Sequence, residues 1–325
     1  TRLSYFLWGS TPDEALLAEA ASGALETSDG RRTAATRMLA DDRARSQIRR
    51  FHTMWLGYRV LPHSAELVGN FAMETGALID RVVFADPQSY LNLFNFQETY
   101  LNTDLANHYG LPEPEDGEGW VPYGESGRAG ILSHGTILSS FAKFADTSPT
   151  QRGILIRTRL MCQDIPPPPP DVDVDAEPDG ETEDACKYER YAAHRDASSG
   201  CSGCHALMDP IGFGLENYDM AGRYRDTDEG RPDCIIEGEG TLPGGGGTFS
   251  GPAELGQFLI DDGYVESCAI QQLYGFAIGR EATGVEEGAV RELVEDFREE
   301  GHDLAAFITS FVASDRFAHR REEAL

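Results

Sequence analysis

Cys201, Cys204 and His205 form a Cys-x-x-Cys-His motif, and these residue types at this spacing predict covalent attachment of a c-type haem. The two thiols add across the two vinyl groups of the porphyrin, and the histidine that follows supplies an axial nitrogen to the iron. A thioredoxin-like dithiol and half of a zinc site are the alternatives. The dithiol usually opens a helix after a strand, and zinc needs a second ligand pair. The chain has no second Cys-x-x-Cys, so we expect haem c.

The residues after the motif predict further parts of a haem pocket. The turn that contains Pro210 and Phe213 should run along the side of the axial histidine, where a backbone carbonyl could accept the Nδ1 proton of His205. Phe213 should keep water away from the iron. Arg223 and Arg225 are expected to pair with the haem propionates. The alternative for both arginines is ion pairing with the acidic surface of the protein itself.

The motif does not fix the ligand on the opposite side of the iron. His194 lies seven residues before Cys201 and is our candidate, provided that the intervening loop wraps over the haem edge. The alternative for His194 is a surface histidine or one that supports the site without binding the iron. Met161 and Met220 are other candidates, although a single methionine more often belongs to the core. His134 could be the ligand or a distal proton donor, because its position suits a pocket-lining polar residue. A second strong ligand is typical of an electron carrier, whereas an open position is typical of an enzyme.

The composition restricts the partners of the protein. Among its 325 residues, 55 are acidic and 27 are lysine or arginine, which gives a formal net charge of −28 and a pI near 4.5. This charge argues against nucleic acid and anionic membranes as partners. It favours a basic protein partner, a cationic or neutral substrate, or a saline environment. No apolar run has the length of a membrane-spanning helix, and the hydrophobic content of 40% is sufficient for a sizeable core.

Haem c is attached outside the cytoplasmic membrane, so we expect a periplasmic or extracellular protein in an oxidising compartment. Cys162, Cys186, Cys234 and Cys268 are therefore disulfide candidates. The pairs Cys162–Cys186 and Cys234–Cys268 are expected because each closes a moderate loop across an irregular stretch; buried free thiols are the alternative. The chain starts at Thr1 inside a predicted helix, which suggests a trimmed piece of a longer precursor.

Hydrophobic periodicity predicts a mainly α fold. Helices are predicted at 31–40, 44–56, 70–84, 133–144, 151–160, 253–261, 265–279, 286–299 and 304–314, with a short one inside 97–109 that ends at Gly110. We expect three domains: a helical body at 1–126, a cytochrome c-like haem module at 127–232, and a C-terminal helical segment at 233–325.

The predicted haem module contains a proline-rich and acidic linker. Pro166–Pro170 can only be an extended polyproline segment. The alternating acids at 171–181 that follow look like a calcium loop, but Ala176 stands where an EF-hand needs glycine. A solvated linker is therefore the prediction, and calcium is a weak alternative.

Five stretches in this order carry a family resemblance: Arg2–Ser10, Gly130–Gly135, Pro166–Pro170, Cys201–Asp219 and Gln272–Arg280. The chain resembles the planctomycete-type large secreted c-type cytochromes, which consist of tandem domains of unknown function around a single haem motif. The resemblance covers nearly the whole chain. It implies a covalent haem and a location outside the cytoplasm. It implies no substrate, because the function of that family is poorly defined.

Three function hypotheses follow from the single motif. The first is a secreted monohaem cytochrome that transfers electrons to or from a protein partner, and it is the one we expect. The second is a peroxidase- or oxidase-like haem enzyme with an open distal site, which would use the large helical body as a substrate pocket. The third is a haem-containing subunit of an extracellular assembly. Its partner would be a second copy of the chain or the N-terminal part of its own precursor.

Overall fold

The computed structural model describes residues 1–85, 89–143, 146–170, 174, 178, 185–228, 230–242 and 246–318. Within these residues the chain is mainly helical, which confirms the predicted fold class. The acidic stretch considered for calcium lies outside the described residues, apart from positions 174 and 178.

The α-helices follow one another along the chain as α1 (Arg2–Trp8), α2 (Glu14–Ala21), α3 (Ser28–Leu39), α4 (Asp42–Leu56), α5 (Ala65–Asp80), α6 (Thr103–Tyr109), α7 (Gly135–Leu138), α8 (Pro149–Leu155), α9 (Lys187–Arg190), α10 (Ala192–Arg195), α11 (Ser202–His205), α12 (Asp209–Phe213), α13 (Gly251–Asp261), α14 (Tyr264–Ile278), α15 (Glu287–Glu299), α16 (Leu304–Ala313) and α17 (Asp315–Ala318). π-Helical turns at Arg81–Ala85 and Ile156–Leu160 continue α5 and α8. No helix in the described part of the chain is both long and apolar enough to span a bilayer.

The strands form three antiparallel pairs, β1 with β2, β3 with β4 and β5 with β6. Their bounds are β1 (Glu98–Asn102), β2 (Glu118–Pro122), β3 (Thr227–Asp228), β4 (Arg231–Ile235), β5 (Glu239–Thr241) and β6 (Thr248–Ser250). In the first pair Tyr100 lies opposite Trp120.

Two compact units divide the chain, and each is assembled from separate stretches. Unit 1 consists of Thr1–Trp55, Ile79–Leu93 and Glu266–Leu325, and unit 2 consists of Leu56–Leu78 and Phe94–Val265. The units group residues by spatial contact rather than by chain order. The sequence-based division into three consecutive domains stays a prediction.

Unit 1 is organised by aromatic packing among its helices. The ring of Phe6 in α1 lies 6.2 Å from that of Phe311 in α16 and 5.8 Å from that of Phe317 in α17. Arg31 of α3 donates to the carbonyl of Ala313 over 2.6 Å, which satisfies an acceptor at the end of α16. Terminal helices distant in sequence thus share one core.

Unit 2 has a core beneath the β1–β2 pair. Phe71 of α5 is buried there with Leu101, Leu105, Tyr109 and Val121. Helix α6 begins at an asparagine cap and ends where Gly110 adopts a left-handed backbone with φ of 69°. This end was predicted, because glycine takes that conformation without a steric penalty.

Helices α8 and α12 of unit 2 pack with their backbones in close approach. A Cβ atom on Gly153 of α8 would lie 2.0 Å from the carbonyl oxygen of Met208, and one on Gly212 of α12 would lie 1.8 Å from that of Pro149. Only glycine fits at these two positions. This contact fixes Thr150 of α8 next to Asp209 of α12.

A disulfide joins Cys186, the residue before α9, to Cys234 in β4. The expectation of disulfides is confirmed, but both predicted pairings, Cys162–Cys186 and Cys234–Cys268, are wrong. The β3–β4 pair returns the chain to the start of α9, and the two Cα atoms come within 5.4 Å. A criterion based on loop length could not foresee this return.

Candidate functional site

The Cys-x-x-Cys-His motif occupies a single helical turn in unit 2. Helix α11 follows Cys201 directly, and the backbone N–H of His205 donates to the carbonyl of Cys201 over 3.1 Å. Cys201 and Cys204 are free thiols, and their residues are half-buried, as is His205. The turn therefore presents two thiols and one imidazole together, which is the donor set that haem c attachment requires.

The Nδ1 atom of His205 faces a buried carboxylate. It lies 3.1 Å from Oδ1 and 3.2 Å from Oδ2 of Asp209, which is 2% exposed. Thr150 donates its hydroxyl to Oδ1 over 2.7 Å. The predicted acceptor was a backbone carbonyl of the same turn, so the structure corrects the kind of acceptor. The imidazole held in this way keeps its Nε2 lone pair free for a metal.

Asp209 is held in its ionised form. Burial raises the pKa of this carboxyl, but hydrogen bonds from His194, His205 and Thr150 outweigh burial and leave the pKa below its usual range. The side chain therefore accepts from every neighbour and donates to none. A negative charge remains beside the imidazole of His205.

His194 lies beside His205 rather than opposite to it. The two ring centroids are 3.5 Å apart, and Nδ1 of His194 is 2.9 Å from Oδ2 of Asp209. Two axial ligands of one iron must approach from opposite faces, so the His194 ring would have to move away to become the second ligand. Its role as an axial ligand stays a prediction. Ligand atoms of these three residues lie within 4.8 Å of one another, close enough to hold a single metal ion.

A cavity of about 720 Å³ opens beside the motif. This is within the range of about 300–1,000 Å³ that small-molecule and cofactor sites usually occupy. Its apolar lining includes the predicted Pro210 and Phe213 together with Tyr188 and Ile235. The Phe213 ring packs edge-on against Tyr188 at 5.2 Å. The Cys186–Cys234 disulfide borders the same cavity.

Few of the side chains that line the cavity are of the types that bind haem iron. Among the described residues that line it, the histidines are His194 and His205, and there is no methionine. His134, Met161 and Met220, the other candidates for the second axial position, do not belong to this lining. The cationic residues of the lining are Lys187 and Arg195.

Arg223 and Arg225 bind carboxylates of the protein. Arg223 donates from Nε to Asp219 over 2.8 Å, and Arg225 donates from Nη2 to Glu216 over 3.2 Å. Neither arginine belongs to the lining of the cavity. Their pairing with haem propionates stays a prediction, and the contacts that they make are those of the alternative.

Glu216, which belongs to the lining of the cavity, is the centre of a buried ionic cluster. Its Oε1 accepts from Arg152 over 2.9 Å, and its Oε2 accepts from Lys187 over 3.1 Å, in addition to the contact with Arg225. Glu216 is only 2% exposed. Burial would raise the pKa of this carboxyl, but the three surrounding cations lower it below its usual value. The cluster fixes Lys187, and with it α9, at the edge of the cavity.

A second buried polar cluster in unit 2 contains His134 and Glu74. Both residues are fully buried, and Nε2 of His134 lies 3.7 Å from Oε1 of Glu74 without a hydrogen bond. Glu74 accepts hydroxyl hydrogens from Thr99 over 2.7 Å and from Tyr109 over 2.8 Å. Burial, helped by the charge of Arg128, lowers the pKa of His134 to about 3. His134 is therefore a neutral core residue in this structure.

Glu74 makes the stability of unit 2 depend on pH. Burial raises its pKa from 4.5 to about 7, against the hydrogen bonds of Thr99 and Tyr109. The folded protein thus binds this proton more tightly than the unfolded chain, and the resulting stabilisation is lost as the pH rises from about 4.5 to 7. We expect the stability of the Glu74→Gln variant relative to the wild type to increase by about 3 kcal/mol between pH 5 and pH 8.

Urea denaturation of both proteins at several pH values measures this difference. Comparison of the two proteins at each pH cancels the titration of shared groups that lie far from Glu74. The exposed residue Glu118 provides the control: Glu118→Gln measures the general effect of removing one surface carboxylate. A free-energy difference between Glu74→Gln and the wild type that is independent of pH would contradict the assignment.

Asp209, Lys187 and Glu216 are site residues that sequence reasoning missed. Asp209 stands four residues after His205, a spacing that could have indicated their contact, although His205 ends α11 and Asp209 begins α12. Lys187 and Glu216 gave no local signal. Their contact joins residues separated by 29 positions and depends on the fold of the whole unit.

Three family models match successive parts of the chain. The three families are all described as proteins of unknown function. Residues 1–111 match DUF1592, residues 128–228 match DUF1588, and residues 245–317 match DUF1585. These are domain families associated with planctomycete cytochromes, in agreement with the expected resemblance at that level. The Cys-x-x-Cys-His turn lies within the second match. No curated protein and no solved structure shows significant similarity to the chain.

Proposed function

We propose that this protein is a secreted monohaem c-type cytochrome that exchanges electrons with a protein partner. The observation that carries the proposal is the single helical turn that presents Cys201, Cys204 and His205, and of these three residues His205 lines the adjoining cavity. The hydrogen-bonded Nδ1 of His205 leaves Nε2 as the free donor, which fits an axial haem ligand.

The residues present fit a covalent haem. Cys201 and Cys204 would hold it through thioether bonds, and His205 would bind the iron through Nε2. When bound, the haem supplies an iron that takes up and releases one electron. Arg195 is the exposed cation placed to pair with a propionate, because it lines the cavity. The ammonium of Lys187 also borders the cavity, but Glu216, Asp146 and Thr147 already bind it.

Other side chains of the cavity would exclude water and limit movement of the cofactor. Phe213 and Tyr188 offer aromatic faces, and the guanidinium of Arg195 lies 3.8 Å from the centroid of the Tyr188 ring. Tyr188 is 59% exposed and Ile235 is 77% exposed, so apolar atoms also stand at the mouth of the cavity. An exposed cofactor edge at such a mouth suits electron exchange with a protein partner.

The proposed location is the periplasm or the extracellular space. The Cys186–Cys234 disulfide supports an oxidising compartment, where haem c attachment also takes place. The net charge of −28 supports a partner that carries a basic face.

A haem enzyme with an open distal site is the second candidate function. It is favoured by the lining of the cavity, in which the described residues include no methionine and no histidine besides the adjacent His194 and His205. An iron without a second strong ligand can bind small molecules.

Visible absorption spectra with and without carbon monoxide test the proposal. For an electron carrier we expect a covalently held haem with a low-spin spectrum that carbon monoxide does not change. A covalent haem whose reduced spectrum shifts with carbon monoxide would contradict the carrier and favour the enzyme. Absence of covalent haem would overturn both and leave a dithiol or a metal site.

A further inference from the structure

We propose that Asp209 is the positioning residue of the axial histidine and that its carboxylate sets a low reduction potential by stabilising the oxidised iron. This inference rests on the proposed function, because it concerns the haem that His205 would bind. It assigns to one buried side chain the control of the electron affinity of the site.

The acceptor that faces Nδ1 of His205 is a carboxylate rather than a carbonyl. Both oxygens of Asp209 lie within 3.2 Å of Nδ1, and the carboxylate is almost completely buried. Hydrogen bonds to ionised acceptors are roughly twice as strong as those to neutral carbonyls. A negative charge on the Nδ1 side makes the Nε2 atom a stronger donor to a metal.

The carboxylate of Asp209 is held rigidly. Asp209 begins α12, and the glycines at 153 and 212 allow α12 to pack against α8 at backbone contact. Thr150 of α8 holds Oδ1 over 2.7 Å, while His194 holds Oδ2 over 2.9 Å. The carboxylate is therefore fixed from two further sides and cannot turn away from His205.

The carboxylate of Asp209 would act on the iron through the ring of His205. Ferric iron carries one more positive charge than ferrous iron, so a more electron-rich axial nitrogen stabilises the ferric state more. Hydrogen bonding to an axial ligand is one of the main means by which a protein adjusts a haem potential. The geometry of Asp209 therefore points to a lower potential than a carbonyl acceptor would give.

The test is redox titration of the secreted holoprotein and its Asp209→Asn variant. We expect the reduction potential of the variant to rise by an amount that corresponds to about a tenfold change in the ferric-to-ferrous equilibrium constant, which is about 59 mV for one electron. The control is Glu237→Gln, which removes one negative charge from the cavity lining without touching His205. It separates the hydrogen bond from the general effect of charge.

A second variant keeps the inference testable if Asp209→Asn does not fold. Thr150→Val preserves the shape of the side chain but removes a competing donor from Oδ1. The carboxylate should then interact more strongly with His205, so we expect the potential to fall, opposite to the change in Asp209→Asn. If either variant moves the potential no more than Glu237→Gln does, the inference is wrong, even when the haem stays attached. A wild-type protein without covalent haem would overturn the proposed function instead.

Discussion

Replacement of both Cys201 and Cys204 by alanine is expected to abolish covalently bound haem. Carbon–sulfur bonds to the porphyrin survive denaturation, whereas the coordinate bond from His205 to the iron does not. A denaturing gel stained for haem peroxidase activity measures the effect directly. The wild type should give a stained band at the mass of the polypeptide, and the double variant should give none.

Ser202→Ala is the matched control for this experiment. Ser202 lies between the two cysteines on the same helical turn and donates its hydroxyl only to the nearby Ser199 carbonyl, over 3.3 Å. The control should therefore retain the stained band. A band of wild-type intensity in the double cysteine variant would show that the haem is attached elsewhere.

The Glu216→Gln substitution is expected to destabilise unit 2 by about 3–5 kcal/mol, because it leaves buried cations without their carboxylate. Arg152 and Lys187 are 4% and 5% exposed, so water cannot replace the lost partner. The pKa of Glu216 is lowered in the folded protein, so its stabilisation exists above an unfolded pKa of about 4.5 and is lost as the pH falls through the folded value. The difference between wild type and variant should therefore shrink in acid.

Urea denaturation at neutral and acid pH tests both parts of this prediction. The control is Asp233→Asn, which removes a carboxylate that pairs with Arg231 at the surface over 3.3 Å. Solvent screens that pair, so we expect no measurable change in stability. A Glu216→Gln variant as stable as the control at neutral pH would contradict the structural role assigned to the cluster.

The helices of the C-terminal part could be predicted from periodicity alone. The predicted range 304–314 corresponds to α16, which ends at Ala313, and the predicted range 253–261 corresponds to α13, which begins at Gly251. These segments carry long amphipathic patterns with recognisable ends. Local information was sufficient there because an α-helix satisfies most of its backbone hydrogen bonds within its own segment.

Elements that depend on distant partners were not predictable in this way. The range 133–144 was predicted as one helix, but its described residues 133–143 contain only α7 as an α-helix, and Phe141 has a positive φ of 61°. Strand β1 was missed because its pairing partner β2 begins 16 positions after it ends. The Cys186–Cys234 disulfide was missed for the same reason, since β4 brings its cysteine back to α9.

The candidate site was likewise only partly predictable from the sequence. The donor set Cys201, Cys204 and His205 could be predicted, because these residues form one local motif. The hydrogen bond from His205 to Asp209 joins residues four positions apart, so their spacing could have indicated it. The sharing of Asp209 with His194 and Thr150 was not, because it depends on how α10 and α8 pack around α12.

Mass spectrometry of the secreted wild-type protein shows whether Cys201 and Cys204 carry a haem. We expect an intact mass that exceeds that of the polypeptide by one haem, and a proteolytic peptide containing Cys201 and Cys204 that carries the added mass. A peptide with two unmodified thiols, or with a disulfide between them, would contradict the assignment of the motif to haem and return this turn to dithiol or metal chemistry.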